Sequence, residues 1–341
     1  MPVLDGLRAL AAVGVVLYHV TTTFGRWGLV ERGYLLVDLF FMLSGFVLAM
    51  AFDRRFAAGL SFARFMKARI MRLWPLMAMG VALGVVCHFA ARGTLFSVRD
   101  VALGLLILPR LSGEGQLFVV DPPEWSLLFE LIANAVHVLI LWRLSDRLLL
   151  LLALLAGAAL TVSVAMIGSN GAGPDVYGWW LGLLRVMFAY PIGMLLARRS
   201  VRRGANSGLG WQVSLLLPVA IVAFSPLLPL SRGLGDVILT LLAFPLVMWL
   251  AAAPSRGEPA ALLMAMGRLS YPLYVFHYPL LLCGKAVSDR VPETFAPLVA
   301  AASVTISLVL AHCAARLLER GKQPKPMGDH DGHSPGLALN A

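Results

Sequence analysis

The sequence predicts an all-α membrane protein: a bundle of about ten transmembrane helices with one re-entrant or short extra segment near 101–111 and both termini cytoplasmic. Three observations predict it. Of the 341 residues, 59% are hydrophobic and only 13% charged, and the mean hydropathy is +0.82; a soluble globule carries about 25% charge. Apolar runs of about 20 residues recur along the whole length, each enough to cross about 30 Å of hydrocarbon. Lys and Arg gather in particular connections, as they do on the cytoplasmic side of membrane proteins.

The first run, 5–23, is too long and too polar at its far end for a cleaved signal peptide, so it is read as retained. The second is 34–52. The loop after it holds Arg54, Arg55, Arg64, Lys67, Arg69 and Arg72 against Asp53. That loop is therefore cytoplasmic, and so is the N-terminus. The third run is 74–91. The next apolar piece, 101–111, is too short to cross. If it crossed anyway, the basic run Arg198–Arg203 and the basic tail would face outside; if it dips in and returns, both face inside, with Arg143 and Arg147. Such a segment survives only where protein or water covers its backbone. The remaining runs are 125–142, 148–168, 178–197, 211–230, 236–253, 269–287 and 297–317. The membrane domain is thus 1–319, and 320–341, polar and rich in Pro and Gly, reads as a disordered cytoplasmic tail.

The net charge is +10. Basic loops account for it without nucleic acid, and it leaves room for an anionic co-substrate. Cys87, Cys283 and Cys313 lie in apolar runs with neither metal-ligand nor disulfide spacing, so no metal is expected.

Ionisable groups inside a span cost several kcal/mol and mark functional candidates. Arg8 and His19 lie eleven residues apart, about three turns, on one face of the first helix. Arg8 falls near the cytoplasmic surface, within reach of Asp5 at i, i+3; His19 falls in the outer half. Asp38, a turn into the second span, needs a partner. Ser44-Gly45 suits close helix packing. In EWSLLFELIANAVH, Ser126, Glu130, Asn134 and His137 follow one helix face as a polar seam. Ser270, Tyr274 and His277 share a face near Pro272 and Pro279, which bend their helix. His88, His312, His330 and His333 read as structural. Arginines inside and an acid/base group further out suit a ligand that enters phosphate-first from the cytoplasm.

Five stretches together resemble the acyltransferase-3 family of multi-pass membrane O-acyltransferases. They are LDGLRALA with the Arg8-x10-His19 spacing, VDLFFMLSGF (Val37 to Phe46), RIMR (Arg69, Arg72), EWSLLFE (Glu124 to Glu130) and GRLSYPLYVFHYPL (Gly267 to Leu280), in family order from residue 4 to about 280. The resemblance implies transfer of an acyl group, usually acetyl, from cytoplasmic acyl-CoA to a hydroxyl of a sugar or surface glycan, in the bacterial inner membrane. It implies essential roles for Arg8 and His19, for the Arg69/Arg72 pair, and for Trp125 and Glu130. Two departures bear on the acceptor side. Only Gly33 remains of a Gly-rich run before VDLFF, and ELIAN replaces a second acidic residue and an aromatic. The tail is far below the ~50 residues of a small domain, so no C-terminal hydrolase-like domain is expected.

Acyl transfer from a thioester needs a base and oxyanion donors. His19, with an imidazole pKa of about 6.5, is the expected base, oriented by Glu130 or Asp38 as in a catalytic triad; a transient acyl-histidine is the other chemistry. Arg8, Arg69 and Arg72 are expected to hold the CoA phosphates. Trp125, Ser126, Asn134 and His277 are expected on the acceptor side. The rival readings are a proton-coupled transporter of a small polar or glycan-related solute and a non-catalytic glycan-binding subunit.

Overall fold

The computed structural model describes residues 1–25, 30–200, 210–253 and 257–320. The predicted tail beyond Arg320, and Arg202 and Arg203 of the basic run, lie outside them. The described residues form helices and turns with no strand, apart from one isolated bridge between Gln116 and Asp175.

The elements are α1 (Pro2–Phe24), α2 (Leu36–Ala57), α3 (Phe62–Arg92), α4 (Val98–Leu105), α5 (Glu124–Leu139) and α6 (Asp146–Ile167), then α7 (Trp179–Ser200), α8 (Trp211–Phe224), α9 (Arg232–Ile238), α10 (Phe244–Ala251), α11 (Ala260–Ser288) and α12 (Ala296–Arg320). Serines start several of them: the hydroxyls of Ser61, Ser97, Ser145 and Ser231 accept an orphan backbone N–H of the first turn. Gly25, Gly93 and Gly168 end α1, α3 and α6 in the left-handed conformation that glycine tolerates.

Among the described residues, seven segments are long and apolar enough to cross a membrane: α1, α2 with the turn before it, α3, α6, α7, the α9–α10 unit and α12 with its leading turn. The sequence reading of about ten spans includes three more. α5 has 16 residues, about 24 Å at 1.5 Å per residue. α8 is a shorter apolar helix. α11, at 29 residues, is long enough but carries Arg268, Ser270, Tyr271, Tyr274 and His277. α4 has eight residues, about 12 Å, and cannot cross. It lies against α3, where the Trp74 indole donates to the Leu105 carbonyl at 2.8 Å.

One expected loop is helical. Arg64, Lys67, Arg69 and Arg72 belong to the first turns of α3, which begins at Phe62 because Ser61 caps it there. This places Arg69 and Arg72 on one helix face, one turn apart.

Small residues set the closest helix contacts. A side chain at Gly45 would strike the Tyr190 backbone, and one at Gly193 the Met42 backbone, so α2 and α7 touch main chain to main chain. Between α9 and α10, residues Leu239–Ala243 form a π-helical turn. It aims the Thr240 hydroxyl at Asp38 (3.4 Å) and the Asn170 amide (3.2 Å). Leu151, Leu154, Leu155, Val162 and Met166 of α6 are exposed, an apolar face suited to lipid.

Candidate active site

Arg8, Arg69 and Arg72 meet on the wall of one cavity of about 480 Å³, bounded by α1, α2, α3, α5 and α11. Met1, Asp5 and Arg8 stand at one end of it and Ser126, Tyr274, Phe40 and Val37 at the other. Arg8 Nη1 donates to Asp5 Oδ1 at 3.0 Å. Arg69 Nη2 donates to Glu130 Oε1 at 2.7 Å, and the Ser44 hydroxyl donates to the same oxygen at 2.8 Å. Arg69 Nε is buried without a partner, and Arg72 has no ion-pair partner among the described residues. Three guanidinium groups thus face two carboxylates, leaving a positive surplus at one end of an otherwise apolar slot.

At the far end the Ser126 and Tyr274 hydroxyls lie 2.7 Å apart, and both reach the Pro123 carbonyl, at 3.1 and 3.2 Å. That carbonyl can only accept. Each hydroxyl has one proton, one spent between the two hydroxyls and the other on the Pro123 carbonyl, so a carbonyl oxygen arriving here would gain both donors only by displacing these bonds.

His19 stands one residue layer beyond this end and is not on the cavity wall. Its ring packs against Tyr278 at 5.0 Å and His277 at 5.2 Å between centroids. His277 is fully buried. Its Nδ1 lies 2.6 Å from the Tyr274 carbonyl. The carbonyl accepts, so Nδ1 carries the proton. Nε2, buried with no partner, is left as a free acceptor.

Neither carboxylate expected to orient His19 does so. Glu130 is held by Arg69 and Ser44. Asp38, fully buried, is clasped by Arg185, with Nε to Oδ1 at 2.8 Å and Nη2 to Oδ2 at 3.1 Å. The polar seam divides: Ser126 and Glu130 line the cavity, whereas Asn134 and His137 tie helices together. Tyr190 donates to Asn134 Oδ1 at 3.2 Å, and His137 bridges Tyr190 and Asp53, at 2.8 Å to each. Trp125 is packed against Phe41 and Phe129, under the Arg185 guanidinium at 5.2 Å, away from the cavity wall.

Sequence reasoning passed over several buried groups. Arg185 is one; it is 1% exposed, the single charge in the apolar stretch Trp179–Ala197. Arg32, Tyr34 and Asp236 form a second cluster, with the Tyr34 hydroxyl 2.5 Å from Asp236 Oδ2. Asp121 and Glu124, each 1% exposed, keep carboxyl oxygens without partners in spaces left by Gly80 and Gly104.

A family profile described as "Acyltransferase domain" matches residues 1–312. Among curated proteins, Protein 2 in picA locus of Rhizobium radiobacter is 38% identical over 154 residues, 39% of this chain and 78% of that protein. O-acetyltransferase OatA of Staphylococcus aureus is 34% identical over 77 residues, 22% of this chain but only 12% of that protein. A putative O-acetyltransferase of Staphylococcus aureus strain MSSA476 is 34% identical over 89 residues, 24% of this chain and 14% of that protein. No solved structure matches.

Proposed function

The chain belongs to the acyltransferase-3 family of membrane acyltransferases, and from that premise we propose that it moves an acyl group, acetyl above all, from cytoplasmic acyl-CoA to a hydroxyl of a sugar or surface glycan in the inner membrane. One observation carries the reading: a slot with three arginines at one end and a hydroxyl pair at the other, ending one layer short of two facing imidazoles. It fits a nucleotide thioester, whose phosphates take guanidinium forks and whose narrow pantetheine arm needs apolar walls.

In this reading α5, α8 and α11 cross with the seven spans above, making ten, and both termini are cytoplasmic. α1, α8 and α11 start at one end of the bundle, since Gly6 meets Leu215 and Leu263 and Gly267 meets Asp5. α3 carries its arginines to that same end.

The acceptor hydroxyl gives its proton to His19 as its oxygen attacks the thioester carbonyl. Ser126 and Tyr274 donate to the oxyanion that forms. When the C–S bond breaks, the imidazolium returns the proton to the departing thiolate, so no net proton is needed. His277 takes the orienting place first expected of Asp38 or Glu130: its free Nε2 can accept from a His19 ring N–H as the two rings close on each other. Arg69, steered by Glu130, acts with Arg8 and Arg72 on the phosphates.

The test is thiol release from acetyl-CoA by purified protein in detergent with extracted surface polysaccharide, beside mass spectrometry of that polysaccharide from a deletion strain. Acetyl-CoA consumption and a substituent missing from the deletion strain are expected. Solute uptake into sealed vesicles without CoA, with no thiol release, would replace the reading by a carrier.

A further inference from the structure

A second cavity, of about 360 Å³, shares two helices with the first, α3 and α11, and lies further along both. On α3 the first cavity takes Arg69, Arg72 and Leu73, and the second takes Gly84, Cys87, His88 and Arg92. From Arg72 to Arg92 is twenty residues, about 30 Å of helix, a full hydrocarbon thickness. On α11 the first cavity ends at Tyr274 and the second begins at Pro279. Between them on that helix stand His277 and Tyr278, the two residues whose rings meet His19. The two cavities therefore approach one layer of aromatic and imidazole rings from opposite sides.

Their chemistries differ. Gly84, Val120 and Pro279 are among the residues lining the second cavity. Arg92, Lys285 and Arg290 border it, with Asp289 as the one carboxylate in its lining. Lys285 is paired with Asp289. Arg290 donates to the Ala286 and Ala91 carbonyls at 2.7 and 2.8 Å, which satisfies hydrogen bonds but leaves its charge uncompensated. Arg92 has no ion-pair partner among the described residues. Two guanidinium charges are left over, beside the aromatic pair His88 and Phe96, whose ring centroids lie 4.0 Å apart.

We propose that this second cavity receives the acyl acceptor, from the membrane face opposite the acyl-CoA, and that Arg92 and Arg290 select an acceptor bearing a phosphate or carboxylate near its reactive hydroxyl. The ring pair supplies an apolar shelf for a sugar face, and the guanidinium forks take the anion. The proposal rests on the acyl-transfer reading for the meaning of the site, but anion binding is measurable without turnover.

The experiment uses the full chain in detergent, with CoA saturating the first cavity so that added anions cannot occupy it. Glucose 6-phosphate and glucose are the probes, and the thermal unfolding midpoint is read against their concentration. Glucose 6-phosphate is expected to raise the midpoint, and glucose is not. In Arg92→Gln/Arg290→Gln the half-saturating concentration should rise by about tenfold or more, as loss of charged hydrogen bonds implies. Stabilisation by CoA should remain as in the unsubstituted protein, which shows that the variant folds. No shift with glucose 6-phosphate, an equal shift with glucose, or a shift indifferent to the substitutions overturns the proposal. In nanodiscs, loss of the glucose 6-phosphate effect on replacing phosphatidylcholine by phosphatidylglycerol would assign the cavity to a lipid headgroup and overturn it as well. Thiol release from acetyl-CoA is read alongside: its absence with anion binding intact overturns the acyl-transfer reading and leaves the anion site standing.

Discussion

Arg185 of α7 forks onto Asp38 of α2 with both side chains at most 1% exposed, and the same guanidinium donates to the Tyr34 and Ala172 carbonyls and covers the Trp125 ring. One buried cation on α7 thus ties together α2, α5, the turn before α2 and the loop before α7. Removing one member of such a pair strands the other charge, a loss of about 3–5 kcal/mol, whereas exchanging both for apolar groups is often near neutral. Arg185→Leu and Asp38→Leu alone should each sharply lower the thermal unfolding midpoint in detergent, and the double variant should recover most of the loss. Additive losses would deny the coupling.

His19→Ala should reduce acyl transfer by about 10²–10⁴-fold, the usual worth of a general base. CoA affinity should stay put, since His19 is not on the cavity wall, while the unfolding midpoint should fall only by the ring's lost packing against Tyr278 and His277. Stopped-flow thiol release and CoA calorimetry separate the two effects; a wild-type rate would exclude the ring from the chemistry.

Arg69→Ala should weaken CoA binding by about tenfold or more, the scale of a charge-assisted hydrogen bond. It also bares Glu130 at the cavity wall, where its carboxylate would repel phosphate. Adding Glu130→Ala should therefore restore part of the affinity. Titration calorimetry on the wild type, both single variants and the pair would detect this, and a double variant weaker than Arg69→Ala would refute it.

Gly193→Val should prevent stable folding, because the new side chain meets the Met42 backbone and main chain cannot yield as a rotamer can; overpacking alone costs about 1–3 kcal/mol. Size-exclusion chromatography of the detergent-solubilised protein reads this directly: a monodisperse peak at wild-type yield would contradict the contact.

The membrane class, the shortness of the fourth helix and the closeness of Arg69 to Arg72 were legible because each has a local cause: run length, a run too short to cross, or a spacing of three residues. Partnerships were not legible in the same way. Asp38 could be marked as needing a partner, but Arg185 lies 147 positions away and nothing local couples the two. The signal was present in part, since a single Arg in an apolar run is as costly as a single Asp and invites the same question. Glu130 illustrates the converse. Its depth matched that of His19, yet depth along a helix says nothing of azimuth across the bundle, and the packing of α3 against α5 assigned it to Arg69 instead. The polar seam of α5 was correctly seen as one face, but half of that face meets a cavity and half meets α2 and α7.

The main-chain contact between α2 and α7, pinned by an ion pair at one end and by the Asp53–Arg198 bridge at the other, makes these two helices a single mechanical strut. A carrier must let its halves rock apart in every cycle; an enzyme that passes a small group between fixed mouths need not. A covalent staple across this strut should leave catalytic turnover intact while arresting any rocking motion, so the rigidity of one helix pair becomes a direct way to tell chemistry from transport.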